Sequence, residues 1–126
     1  MIAGAHFLLY SKDPGADQAF FRDVLGLRVV DAGEGRLLFV LPPAEIALHP
    51  SSGNFVQRHA GHDLLGAVLY LMCDDLLSVV RSLEASNVNL TEIEQADWGL
   101  KTTLKLPSGG EVGLYQPAHA TALHLD

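Results

Sequence analysis

At 126 residues, 48% of them hydrophobic, the chain is long enough for one well-filled core and too short for two independent domains. A net charge of −7 with only eight Lys and Arg argues against nucleic acid and anionic membrane surfaces as partners, since both require clustered cations, and tilts the expectation toward a neutral or cationic ligand. The single cysteine excludes a disulfide framework, and with no long apolar run and no charged-then-apolar leader the expected location is the cytoplasm.

From Met1 to Tyr10 the residues alternate, with His6, Leu8 and Tyr10 on one face and Phe7 and Leu9 on the other, which predicts a strand. Asp13-Pro14 then reads as an N-cap and first helical residue, and Ala16, Phe20, Phe21, Val24 and Leu25 form a helical stripe that stops at Gly26. Three short strands are predicted next, over 27–31, 36–41 and 44–49, divided by Gly33-Glu34-Gly35 and by Pro42-Pro43. The segment 51–63 is polar and aperiodic and reads as a connector.

The order then repeats. Val68 to Asp75 matches His6 to Asp13, and Asp74 or Asp75 caps a helix carrying Leu76, Leu77, Val79, Val80 and Leu83, with Asn87 as a left-handed terminator. Strands are predicted over 90–95, 99–106 and 111–116, the last hairpin turning at Pro107-Ser108-Gly109-Gly110. An internal repeat of this kind means that each unit buries its apolar face against its twin. The expectation is one α+β domain of two tandem βαβββ modules, 2–50 and 64–117, joined by the connector and followed by a tail, 118–126.

Taken together, the early strand His6, the capping Asp13, the helix end Phe21-Arg22-Asp23-Val24-Leu25-Gly26-Leu27, and Trp98-Gly99 followed by Pro107-Ser108-Gly109-Gly110-Glu111-Val112 resemble the vicinal oxygen chelate superfamily, the group of glyoxalase I, bleomycin-resistance proteins and extradiol dioxygenases. The resemblance implies a concave cup, a homodimer, and in the enzymes a divalent metal held from the first and last strands of each unit. It assigns those four positions to His6, Ala47, Val68 and Gly113, of which only His6 carries a donor atom. No metal and no cofactor is therefore expected. A shifted set such as His6, His49 and Glu111 has suitable donors, with Glu45 also on the Ala47 face, but a move of two residues displaces a ligand by about 6.6 Å along its strand.

Other histidines read more simply. His59 and His62 have the spacing of a helix-borne metal pair but fall in the connector, and His119 and His124 lie in the tail. Cys73, beside Asp74 and Asp75, reads as structural because burial and neighbouring carboxylates both raise a thiol pKa. The expected ligand-binding set is His6, Leu8, Ala47, His49, Val68, Tyr70, Trp98, Gly113 and Tyr115, with Ala47 and Gly113 leaving room in the cup; Tyr70 and Met72 suit core as well as pocket. No catalytic residue is assigned. The favoured function is metal-independent binding of a small organic molecule; the alternatives are a lyase- or dioxygenase-type enzyme using His6 with atypical ligands or metal-free acid and base work by His6, Glu111 or Tyr115, and an assembly module.

Overall fold

Asp13 opens the first helix: its carboxylate accepts the Ala16 N–H at 3.2 Å, while Pro14, with no N–H to satisfy, takes the first helical position. Helix α1 spans Pro14–Asp23 in a computed structural model that describes residues 1–51, 53 and 56–124. The second helix, α2, spans Leu76–Ala85 and is capped in the same way, Asp75 accepting the Ser78 N–H at 3.2 Å. Its Leu76 N–H is taken by the Gln116 side-chain oxygen at 2.9 Å, which ties the helix start to the end of the last strand. Asn87, at φ 61°, follows α2 in the left-handed conformation expected of it.

The strands are β1 Val29–Asp31, β2 Leu37–Phe39, β3 Val56–His59, β4 His62–Leu65, β5 Tyr70–Met72, β6 Glu94–Ala96, β7 Gly99–Lys105 and β8 Glu111–Pro117. Four of them form one sheet in the order β5-β8-β7-β6, with β5 parallel to β8 and the other pairs antiparallel. From β5 onward the chain therefore runs strand, helix and three strands, the order expected of the second module. Val112 and Leu114 of β8 and Leu104 of β7 form one buried cluster with Leu76, Val80 and Leu83 of α2 and Phe20 of α1. Each such side chain contributes about 1.5–3 kcal/mol through burial.

One polar fastener joins α1 to this sheet. The buried Asp17 carboxylate accepts the Ser108 N–H at 3.0 Å, the Ser108 hydroxyl at 2.6 Å and the Ser11 hydroxyl at 2.6 Å. Burial alone would push this carboxyl up, but the three donors outweigh it and hold it below its ordinary range.

The first module departs from expectation. The segments 1–10 and 44–49 have no strand partner among the described residues, and β1 and β2 form a two-stranded ribbon by themselves. A strand exists only where a neighbour offers its N–H and C=O groups, and apolar alternation alone does not supply one. The expected connector is also corrected: β3 and β4 form a hairpin over Ala60-Gly61, both at positive φ. His59 and His62 are therefore a cross-strand pair, not a helical one. Residues 52, 54 and 55 of the connector and 125–126 of the tail lie outside the described residues.

Replacing Asp17 with Asn keeps the shape and removes the charge-assisted hydrogen bonds, so equilibrium urea unfolding is expected to register a loss of about 1.5–3 kcal/mol. Because the folded pKa is depressed, this contribution is present above the ordinary aspartate value of 3.8 and disappears as pH falls below it through the folded value. The parent protein should thus lose stability across that acid window more steeply than Asp17→Asn.

Candidate functional site

Because side chains alternate along a strand, the residues between the core positions point to the other face of the sheet. The register sets Tyr70 beside Gly113 and Gly113 beside Thr103, then Met72 beside Tyr115 and Tyr115 beside Lys101. Tyr115 is the centre of an aromatic corner: its ring meets Tyr70 edge-on at 5.7 Å and Trp98 edge-on at 5.5 Å. Lys101 Nζ lies 5.7 Å from the Trp98 ring centre and 3.3 Å from the Glu94 carboxylate. Tyr70 and Trp98 remain 39% and 40% exposed, so the corner is open to solvent.

Two glycines permit this packing. A Cβ on Gly113 would overlap the Tyr70 ring, coming within 2.9 Å of its Cγ, so the ring lies across the bare backbone of β8. The room expected above Gly113 is thus filled by Tyr70. Gly99, which follows Trp98, sits at φ 146° against the Gln116 carbonyl oxygen, where no side chain fits. That close approach holds Trp98 beside the end of β8, and the Ala118 N–H donates to the Trp98 carbonyl at 2.8 Å.

Beyond Pro117 the chain turns back over the corner. The Tyr115 hydroxyl lies 3.0 Å from His119 Nε2, and His119 Nδ1 donates to the Ala120 carbonyl at 2.8 Å. With Nδ1 committed as a donor, Nε2 of the neutral ring is the acceptor for the phenol proton. Burial and the nearby Glu45 carboxylate both push the Tyr115 phenol up, which favours the protonated, donating form. Glu45 also accepts the Ala122 N–H at 2.8 Å, fixing the segment after β2 to the tail.

Of the expected ligand-binding residues, the structure brings Tyr70, Trp98, Gly113 and Tyr115 together. His6, Leu8, Ala47, His49 and Val68 are exposed, and neither His6 nor His49 makes a hydrogen bond or ring contact with the corner among the described residues. Glu111 begins β8 opposite Lys105, and the Tyr10 hydroxyl meets His59 Nδ1. Among the described residues no three or more His, Cys, Asp or Glu side chains gather as a metal-binding group. His119, in the tail, lies outside the expected set yet contacts Tyr115. Its signal was a histidine four residues after an aromatic strand residue with a proline between them.

The steric relation between Tyr70 and Gly113 can be tested by a double-mutant cycle. Gly113→Ala should destabilise the parent by about 1–3 kcal/mol through overpacking. In a Tyr70→Ala background the same change should be neutral or stabilise by up to about 1 kcal/mol, because the ring is gone and Ala suits a strand interior better than Gly.

No protein-family model and no curated protein matches the sequence. Solved structures do match in shape. TnmS3, an antibiotic binding protein from Streptomyces sp. CB03234, is 20% identical with a TM-score of 0.62, over 94% of this chain and 100% of that one. A member of the glyoxalase/bleomycin resistance protein/dioxygenase superfamily from Sphaerobacter thermophilus is 19% identical with a TM-score of 0.57, over 91% and 98%. Lactoylglutathione lyase from Agrobacterium tumefaciens is 23% identical with a TM-score of 0.55, over 86% and 88%. At these identities the likeness is one of fold. The α+β architecture and the capped helices agree with it: the chain has the vicinal oxygen chelate fold of the glyoxalase/bleomycin resistance/dioxygenase superfamily.

Proposed function

We propose that this chain binds a small organic molecule on the face formed by Tyr70, Trp98 and Tyr115, without a metal. The observation that carries the reading is the Tyr70 ring lying across Gly113, a position that the family resemblance assigns to a metal ligand. Three of the four assigned positions, Ala47, Val68 and Gly113, have no donor atom, so these residues do not fit a divalent ion. An open aromatic corner with a cation at its edge offers flat apolar contact and orienting polar groups, the usual character of a small-molecule site. The antibiotic-binding function of the neighbour TnmS3 supports binding as the role of this fold here. His6, Leu8, Ala47, His49 and Val68 are included in the proposed site on the family resemblance alone.

A second reading has its own support. The Tyr115 hydroxyl and His119 Nε2 are in hydrogen-bond contact, an arrangement suited to general acid and base work on a bound ligand. On that reading the protein is a lyase- or dioxygenase-like enzyme, and Tyr115 is the residue that touches substrate.

The proposed assembly is a homodimer. Ile46, Leu48 and Leu65 are 85%, 83% and 81% exposed, and the N-terminal alternating segment has no strand partner among the described residues; a second copy would cover both. No helix among the described residues is long and apolar enough to cross a membrane, and a cytoplasmic location is proposed from the lone free Cys73.

Trp98 is the sole tryptophan and reports on this face directly. Titration with planar aromatic compounds should quench its emission saturably, and Tyr115→Ala should weaken binding by about tenfold, the ~1.4 kcal/mol of one lost aromatic contact. The same samples should sediment as dimers at high micromolar concentration. Emission that no compound perturbs, with no shift in melting temperature, would remove the support for binding; substrate turnover abolished by Tyr115→Phe would favour the enzyme.

A further inference from the structure

A separate cavity of about 370 Å³ lies where β5 passes into α2, with the tail as its outer wall. Its size falls at the lower end of small-ligand sites, about 300–1,000 Å³. Met72, Pro117 and Leu123 supply apolar surface, while Cys73, Asp74 and His119 supply polar groups. It adjoins the aromatic corner through His119 but shares none of the three aromatic residues that form it.

The charge pattern of this cavity is one-sided. No Lys or Arg lines it. The Cys73 thiol is pushed up by burial and by Asp74, so it stays a neutral thiol. Both ring nitrogens of His119 are engaged, one with Tyr115 and one with the Ala120 carbonyl, leaving no free donor for an anion. Two N–H groups of the α2 terminus are likewise committed, Leu76 to Gln116 and Ser78 to Asp75. Asp74 makes no hydrogen bond or ion pair among the described residues. A carboxylate beside apolar walls, on a chain of net charge −7, selects a cation with a hydrocarbon body.

We propose that this cavity binds an organic ammonium ion, with Asp74 as its counter-ion and Met72, Pro117 and Leu123 around its alkyl portion. The methionine thioether suits this role because it is polarisable and adapts to irregular ligands. The site adjoins the aromatic corner through His119 but contains none of Tyr70, Trp98 and Tyr115, so each can be probed by its own variants.

The chain has two methionines, the exposed Met1 and the cavity residue Met72, so methyl-labelled methionine gives a built-in control. At about pH 8, where an ordinary imidazole is neutral, butyltrimethylammonium should shift the Met72 methyl resonance saturably, at roughly millimolar concentration, and leave Met1 unmoved. Butanoate at equal concentration should move neither. Asp74→Asn should weaken the cation by about fivefold, as for a partly exposed ion pair, and Thr121→Trp, which fills the cavity from the tail, should abolish the shift. A Met72 signal that stays still, an equal response to butanoate, or unchanged affinity in Asp74→Asn would overturn the proposal. Trp98 emission, followed in the same titration, should not respond.

Discussion

Strand β8 has neighbours on both sides and a helix on one face, so every residue in it must satisfy a ladder and a layer together. It pairs with β5 in parallel and with β7 antiparallel. Val112 and Leu114 close the core with α2, and Gly113 and Tyr115 build the opposite face. A shift of one residue would place Tyr115 in the core and expose both aliphatic side chains, so the burial of one face sets the register of the other. The aromatic corner depends on that register. Tyr70 can lie across Gly113 because β5 is the parallel neighbour at that position, and Trp98 can reach Tyr115 because Gly99 lets the chain pass close to Gln116.

The parts legible in the sequence are those fixed by local chemistry. Asp13, Asp75 and Asn87 mark helix ends through hydrogen bonds and backbone conformations spanning a few residues, and each acts as its residue type predicts. Strands β7 and β8 are legible because apolar segments flank a Gly-rich turn, whereas the strand expected over 90–95 shifts to β6, Glu94–Ala96. The first module was less so. Residues 1–10 alternate as a strand should, yet pairing is a property of two segments, and no partner is present among the described residues. The β3–β4 hairpin is hard to read for the opposite reason: most of its side chains are polar, none is buried, and only the two-residue Ala60-Gly61 turn signals it.

The site shows the same division. Of the expected set, Tyr70, Gly113 and Tyr115 share a face by strand position and Trp98 joins them from the turn before β7, and these four meet. What sequence could not show is that Tyr70 occupies the space above Gly113. A small residue in a cup reads as room, whereas here it is the contact surface for a ring. The contact of His119 with Tyr115 depends on a turn after Pro117, and that of Glu45 with Ala122 joins residues far apart along the chain. Long-range pairing of this kind leaves no periodic trace.

The proposed metal-free binding rests on the Tyr70 ring covering Gly113. The most direct measurement is the nuclear Overhauser contact between the Gly113 α-protons and the Tyr70 ring, followed while Zn²⁺ is added. The account predicts a strong contact, with α-proton shifts displaced by the ring, that persists unchanged in excess metal. Loss of the contact at one equivalent of Zn²⁺, with His6 resonances moving in step, would contradict it.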